Sequence, residues 1–369
     1  MTSELLQNID AFLVSNPTNI RYLTGFVGAA PHEREAYYLA TKDKMFLFTN
    51  SLYLESAQKL VRSSPFIVHS SEIKVIEISR DFPLSKRLKE ILSAVGSDPK
   101  PYNLGFEEVD LTVAEFRKQE KELPQVELIP TQNLIEELRM IKRPDEIENI
   151  KKAAKMTDDC FEYILGKLVP GTSETEIAWE METFFCKNNA ASAFSPIVAF
   201  NEHSSQPHYS LTKSYMLDAK SSIILLDFGA KVNGYCADMT RVIFSGQPTT
   251  QQKNAYEILL NAQETALELL KKGERSGAKL DEITRNELTN NKLTPHPHSL
   301  GHGLGLDIHE LPRLSYHKDE VLKPNMAFTI EPGVYLEGKF GIRIEDLVWI
   351  NEKNEVEILS KSNKKLTIL

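Results

Sequence analysis

The sequence predicts two domains, an α/β unit followed by an α+β unit, and three observations predict them. At 369 residues the chain is long enough for two ordinary hydrophobic cores. In the first third, short apolar runs (IDAFLVS, EAYYLAT, KMFLFTN) alternate with the helically spaced SLYLESAQKLV and FPLSKRLKEILSAV, a strand–helix alternation expected of an α/β unit. After a long amphipathic segment the pattern changes to strands and Gly-rich turns, as expected of an α+β unit.

Pro130 and Pro144 bracket a connection. The expected boundaries are a first domain over 1–130, a linker over 131–143 and a second domain over 144–369. Pro144 and Asp145 are start signals for a helix whose apolar positions Ile147, Ile150, Ala154, Phe161, Ile164, Leu165 and Leu168 recur at helical spacing. Gly171 punctuates the chain, and Ser173 with Glu176 forms a capping box for the next helix. Past residue 190 one further helix is expected, in QQKNAYEILLNAQETALELLKKG. No repeat or low-complexity segment is visible.

Composition excludes several functions. A net charge of −9 leaves no basic face for nucleic acid or an anionic membrane. No apolar run has the length of a membrane span, and MTSELLQNIDAFLVSN lacks a basic n-region before an apolar stretch, so no signal peptide is expected. Cys160, Cys186 and Cys236 have no CxxC spacing and read as reduced, packing thiols of a cytoplasmic protein.

The chemistry begins in IILLDFGAKVNGYCADMTRVIF, residues 223–244, where two aspartates interrupt an apolar hairpin. A carboxylate loses hydration worth several kcal/mol in such a setting unless a partner or a metal replaces it. Asn233-Gly234 predicts a two-residue type I′ turn that places Val232 opposite Tyr235. Asp227 then lies opposite Thr240 and Asp238 opposite Gly229. Both carboxylates project to one face as diagonal neighbours roughly 7–8 Å apart. Gly229 removes a side chain beside Asp238, which leaves room for a ligand. Two such anions repel, and a shared cation resolves this; charges on an edge strand or turn in solvent are the alternative.

PHPHSLGHGLGLDIHELPRL, residues 295–314, holds four of the nine histidines: His296, His298, His302 and His309. His298 and His302 have i,i+4 spacing, but Gly301, Gly303 and Gly305 argue against a zinc-binding helix. They predict backbone packed closely in a loop-to-strand region instead. In FTIEPGVYLEGKFGIRIEDLVWI, residues 328–350, a hairpin centred on Gly338 places Glu331 opposite Glu345. Four carboxylates and one imidazole form an oxygen-rich set suited to a pair of ions such as Mn²⁺ or Co²⁺. Two such ions can share and acidify a water.

With these stretches in view, LLDFGAKVNGYCADMTRVI, HSLGHGLGLDIHE, FTIEPGVY and GIRIED resemble, in order, the metal-site motifs of the creatinase/prolidase/aminopeptidase P group of pita-bread metallopeptidases. DAFLVSNPTNIRYLTGF and LGFEEVDLTVAEF resemble that group's smaller domain. The resemblance implies an α/β creatinase-like amino-terminal domain and an α+β pita-bread catalytic domain. It implies Asp227 on one ion, Asp238 and Glu345 bridging two, and His302 and Glu331 completing the set, with Glu331 also the general acid/base. The ions implied are Mn²⁺, with Co²⁺ or Zn²⁺ as substitutes. His309 is similar to the histidine that stabilises the oxyanion and His208, in NEHSSQPHYS, to the one on the substrate side. His298 matches the position lining the proline pocket, and Arg343 the arginine beside the bridging glutamate; the resemblance implies His208, His298 and Arg343 as substrate-binding residues, with His208 also catalytic.

The chain departs from many relatives in reading HELPR where they read HEPP. Arg313 lies where some Xaa-Pro dipeptidases hold the substrate carboxylate, a bidentate task suited to guanidinium. His32 matches a loop histidine that dipeptidase dimers contribute to the neighbouring subunit. The expectation is a homodimeric metallopeptidase that hydrolyses Xaa-Pro bonds, preferentially in dipeptides, with no nucleic-acid or membrane partner. Aminopeptidase P, acting on longer peptides with proline second, is the alternative within the enzyme class. A non-catalytic pita-bread binding module is the alternative outside it.

Overall fold

The apolar runs of the first third become strands of one six-stranded sheet. These are β1 (Ala11–Val14), β2 (Ala36–Thr41), β3 (Met45–Thr49), β4 (Ile73–Glu77), β5 (Tyr102–Glu107) and β6 (Val126–Thr131), in the order β4-β3-β2-β1-β5-β6. The computed structural model describes residues 9–29, 33–63, 73–95, 102–210, 214–218 and 223–369. His32 lies outside them. Strand β1 shows why these runs read as unbroken hydrophobicity. Phe12 and Val14 pack into one core with Ile20, Leu23 and Ile135, while Ala11 and Leu13 pack into another with Leu84, Leu88 and Leu92. Both faces are covered, so alternation disappears.

The molecule divides between Leu138 and Arg139. The segment 131–143, expected as a linker, carries the helix Leu134–Met140, whose Ile135 is buried in the first unit's core. Pro130 is not a chain breaker: it lies in β6, an edge strand, where a missing N–H costs nothing.

The second unit has two halves with the same opening. A 22-residue helix, Pro144–Leu165, and a 14-residue helix, Glu174–Lys187, start the first half; Thr250–Lys271 and Gly277–Asn290, also of 22 and 14 residues, start the second. The capping box of Ser173 and Glu176 is formed. One helix was expected past residue 190, and Gly277–Asn290 is a second. Its inward positions are Gly277, Leu280, Asp281, Thr284 and Leu288, so two polar residues interrupt the apolar stripe that would have marked it.

The Asn233-Gly234 turn forms with φ of 52° and 89°, and Val232 pairs with Tyr235. Asp227 lies opposite Thr240 in the antiparallel pair Ile223–Phe228 and Met239–Phe244. On these strands Ile224, Leu226, Phe228, Met239 and Ile243 face the first helix pair. Ile223, Leu225, Val242 and Phe244 face the second. Period-two alternation therefore puts Asp227, Asp238 and Thr240 on that second face. The space beside Asp238 is not left for a ligand by Gly229. A Cβ there would lie 1.8 Å from the Ala237 carbonyl oxygen, so the glycine permits close passage of the partner backbone.

The second half folds as a five-stranded sheet in the order Glu310–Leu314, Gly301–Gly303, Ala327–Ile330, Asp346–Ile350, Val356–Ile358. Gly301–Gly303 is a strand rather than a helix, and side chains at 301 and 303 would strike the carbonyls of Thr329 and Leu311. Gly333–Leu336 and Phe340–Arg343 pair as a hairpin about Gly338, with Gly333 opposite Arg343, and the same register resumes at Ile330 opposite Asp346. Glu331 and Glu345 thus face each other across it.

Candidate metal centre

A cavity of about 520 Å³ in the second unit is lined by Asp227, Asp238, His302, Glu331 and Glu345 together with His208, His298, His309, Arg313 and Arg343. Residues more than a hundred positions apart meet because the two hairpins present their polar edges to each other. Asp227, Asp238 and Glu345 are buried. Asp238, His302 and Glu345 each offer a ligand atom within 4.8 Å of the others. His302 Nε2 is 3.6 Å from Asp238 Oδ2 and 3.4 Å from Glu331 Oε1. Its Nδ1 is 3.0 Å from the Gly303 carbonyl, a distance that requires the proton on Nδ1 and turns the Nε2 lone pair toward the acids.

Electrostatics show how unfavourable the acids are by themselves. Burial, then Glu345, Asp227 and Glu331, push Asp238 well above the usual carboxylate range. Glu331 is likewise raised by burial and Glu345, and Glu345 is pushed up to about 8 by burial and Asp227. Burial lowers His302 to about 4 and His298 to about 3, so both are neutral at pH 7. Among the described residues, Asp238 Oδ1 and Glu345 Oε1 are buried without a hydrogen-bond partner. Unsatisfied carboxyl oxygens facing a neutral imidazole are a donor set for a divalent cation, which would hold the acids ionised, and the residues fit one.

A pH dependence follows. A carboxyl raised in the folded state makes a stabilising contribution that is complete below its unfolded pKa and is lost as pH rises through its folded pKa. For Glu345 the loss runs from the ordinary glutamate range up to about 8. Chelator-treated protein should therefore lose Tm between about pH 5 and 9, while metal-loaded protein, whose acids stay ionised, should not follow it. Parallel calorimetric Tm curves for the two forms would contradict this.

The remaining residues surround this cluster. His309 stands exposed at the rim with its ring 4.5 Å from that of His302, edge to face, and burial lowers its pKa. His208 is also exposed at the rim. Arg313 is exposed, and its backbone N–H donates to Glu320; among the described residues its guanidinium meets no acceptor. Arg343 is different. It donates to Thr240 Oγ1, the Pro207 carbonyl, the Tyr335 hydroxyl and Asp227 Oδ2, which leaves little of its fork for a ligand.

Sequence reasoning missed two residues. Thr240 donates to Glu345 Oε2 at 2.7 Å while accepting from Arg343. Tyr335 accepts from Arg343 at 2.7 Å and lies 3.1 Å from His298 Nε2. The hairpin register already placed Thr240 across from Asp227, a signal that could have found it. Tyr335 carried none.

A buried carboxylate–imidazole cluster on paired hairpins, in a two-part helix–sheet unit, is the arrangement of a metal-dependent hydrolase. The chain belongs to metallopeptidase family M24, which it matches over residues 148–352, and residues 6–141 match the creatinase/prolidase N-terminal domain. It is 32% identical to an Xaa-Pro dipeptidase of Pyrococcus furiosus, covering 97% of this chain and 95% of that protein. Among solved structures it is similar to an Xaa-Pro dipeptidase from Bacillus anthracis, with a TM-score of 0.87 and 33% identity over 100% of this chain and 99% of that one. It is also similar to an X-Pro aminopeptidase from Thermotoga maritima, with a TM-score of 0.83 and 31% identity over 100% and 99%. The protein is a metallopeptidase with an α/β creatinase-like domain and an α+β pita-bread catalytic domain.

Proposed function

We propose that the protein hydrolyses Xaa-Pro peptide bonds, preferentially in dipeptides, with two divalent ions held by Asp227, Asp238, His302, Glu331 and Glu345. The observation that carries this reading is the pair of oxygens on Asp238 and Glu345 that, among the described residues, have no hydrogen-bond partner and would be free to hold the ions. Asp227 would help hold the ions while its Oδ2 also accepts from Arg343, since a carboxylate oxygen has two lone pairs. Such ions, when bound, lower the pKa of a shared water and polarise the scissile carbonyl. Glu331 accepts the proton of the attacking water and returns it to the proline nitrogen. His309, neutral at pH 7, donates to the developing oxyanion. His208, which lines the same cavity, contacts the substrate, and His298 walls the proline ring. Arg343 braces Asp227 rather than gripping substrate. The relatives' Xaa-Pro specificity supports the substrate class, and the oxygen-rich donors favour Mn²⁺. A cytoplasmic homodimer completes the reading, in keeping with the free thiols of Cys160, Cys186 and Cys236.

Arg313 separates dipeptidase from aminopeptidase P. Its guanidinium lines the cavity with no acceptor among the described residues, which favours the dipeptidase, because only a dipeptide places a free carboxylate directly after proline. With Mn²⁺-reconstituted protein, Ala-Pro should be cleaved faster than Ala-Pro-Ala. Arg313→Ala should weaken Ala-Pro hydrolysis by about 1.5–3 kcal/mol in kcat/KM and leave the tripeptide nearly unchanged. Equal cleavage of both peptides, unaffected by the substitution, would make aminopeptidase P the better reading.

A further inference from the structure

The segment Pro295-His296-Pro297-His298 poses a backbone problem. Its prolines supply no N–H, and a residue before proline is held extended, so the chain cannot be tied down by an ordinary ladder. The chain bends at residues 297 and 298, which leaves the carbonyls of 296 and 298 to be held from outside the segment. Arg285, on the helix Gly277–Asn290, takes both, donating from one terminal nitrogen to the His296 carbonyl at 2.9 Å and from the other to the His298 carbonyl at 2.6 Å.

The guanidinium is itself locked. Its Nε donates to Asp281 Oδ1 at 2.8 Å, and its face lies 4.5 Å from the Tyr316 ring. Asp281 is fully buried and accepts also from the Tyr316 backbone N–H at 3.0 Å, with His296 Nε2 at 3.1 Å. His296 is thereby spent on the scaffold, although it stands in the same cluster of histidines as His298 and His302. At the far end, His298 Nδ1 lies 2.8 Å from the Ser299 carbonyl and so carries the proton, which leaves Nε2 to accept from Tyr335. His298 is thus fixed at its backbone by Arg285 and at its ring tip by Tyr335.

We propose that Arg285, held by Asp281, is a positioning residue that sets the His298 ring against the substrate, and so controls substrate affinity without touching substrate or metal. The proposal rests on the reading of His298 as the wall of the proline pocket. Lysine at 285 can bond one carbonyl but cannot reproduce the planar fork. In metal-loaded enzyme, Arg285→Lys should raise KM for Ala-Pro about 10-fold or more with kcat nearly unchanged, because a small misplacement of a substrate-facing group is costly. Elemental analysis should find the wild-type metal content. The decisive readout is the cycle with His298→Ala: the double variant should have the KM of His298→Ala alone, since Arg285 then has nothing left to position.

KM effects that multiply in the double variant, or metal loss in Arg285→Lys, would overturn the proposal while leaving the reading of His298 intact. A wild-type KM for His298→Ala would overturn that reading and the proposal with it. Should Arg285→Lys not fold, Tyr316→Leu takes its place in the same cycle. It removes the ring over the guanidinium, together with that ring's contact to exposed His317, and keeps the backbone bond to Asp281.

Discussion

Asp238→Ala should abolish turnover and still yield folded protein. Asp238 lies with His302 and Glu345 at the centre of the cluster, so its loss removes an oxygen from any ion held there. An ion's stabilisation of transition-state charge amounts to several kcal/mol, so kcat/KM should fall about 10³-fold or more. Folding should survive for an electrostatic reason. Asp238 is repelled by Glu345, Asp227 and Glu331, and removing it relieves the metal-free protein. At pH 8 the metal-free variant should melt no lower than metal-free wild type, although the loaded proteins differ in the opposite sense. Full metal content with normal activity in Asp238→Ala would sink the assignment.

The two neighbouring histidines should separate cleanly. His302→Ala removes the imidazole whose Nε2 faces Asp238 and Glu331, and metal content should drop with activity. At His309 the better variant is phenylalanine, because the ring packs edge to face on His302 and an alanine would loosen its neighbour. His309→Phe should keep the metals and lose kcat by roughly 10²–10³-fold, the usual cost of one oxyanion donor. Equal metal loss in both variants would mean their roles are confused.

Local chemistry was legible in the chain. The Asn233-Gly234 turn and the Gly338 turn each set a register, and a register with a two-residue period decides which side chains share a face. That is why Asp227, Asp238, Glu331 and Glu345 could be singled out from spacing, and why the motifs that carry the family resemblance are runs around those turns. The helix Gly277–Asn290 was not legible, because Asp281 and Thr284 sit where apolar residues would have marked its buried stripe.

What only the tertiary structure decided is which polar groups are already engaged. Arg343 and Arg313 look equivalent as arginines near a site, yet one is bound to Thr240, Tyr335, Pro207 and Asp227 while the other presents a guanidinium to the cavity. His296 and His298 are two positions apart, and the first belongs to the Asp281 lock while the second lines the cavity. The physical reason is the range of the interaction. Turns and face alternation are set by neighbours in the chain, whereas a hydrogen bond from residue 285 to the carbonyl of 298, or from 343 to the side chain of 240, depends on elements that packing brings together and leaves no period in the sequence.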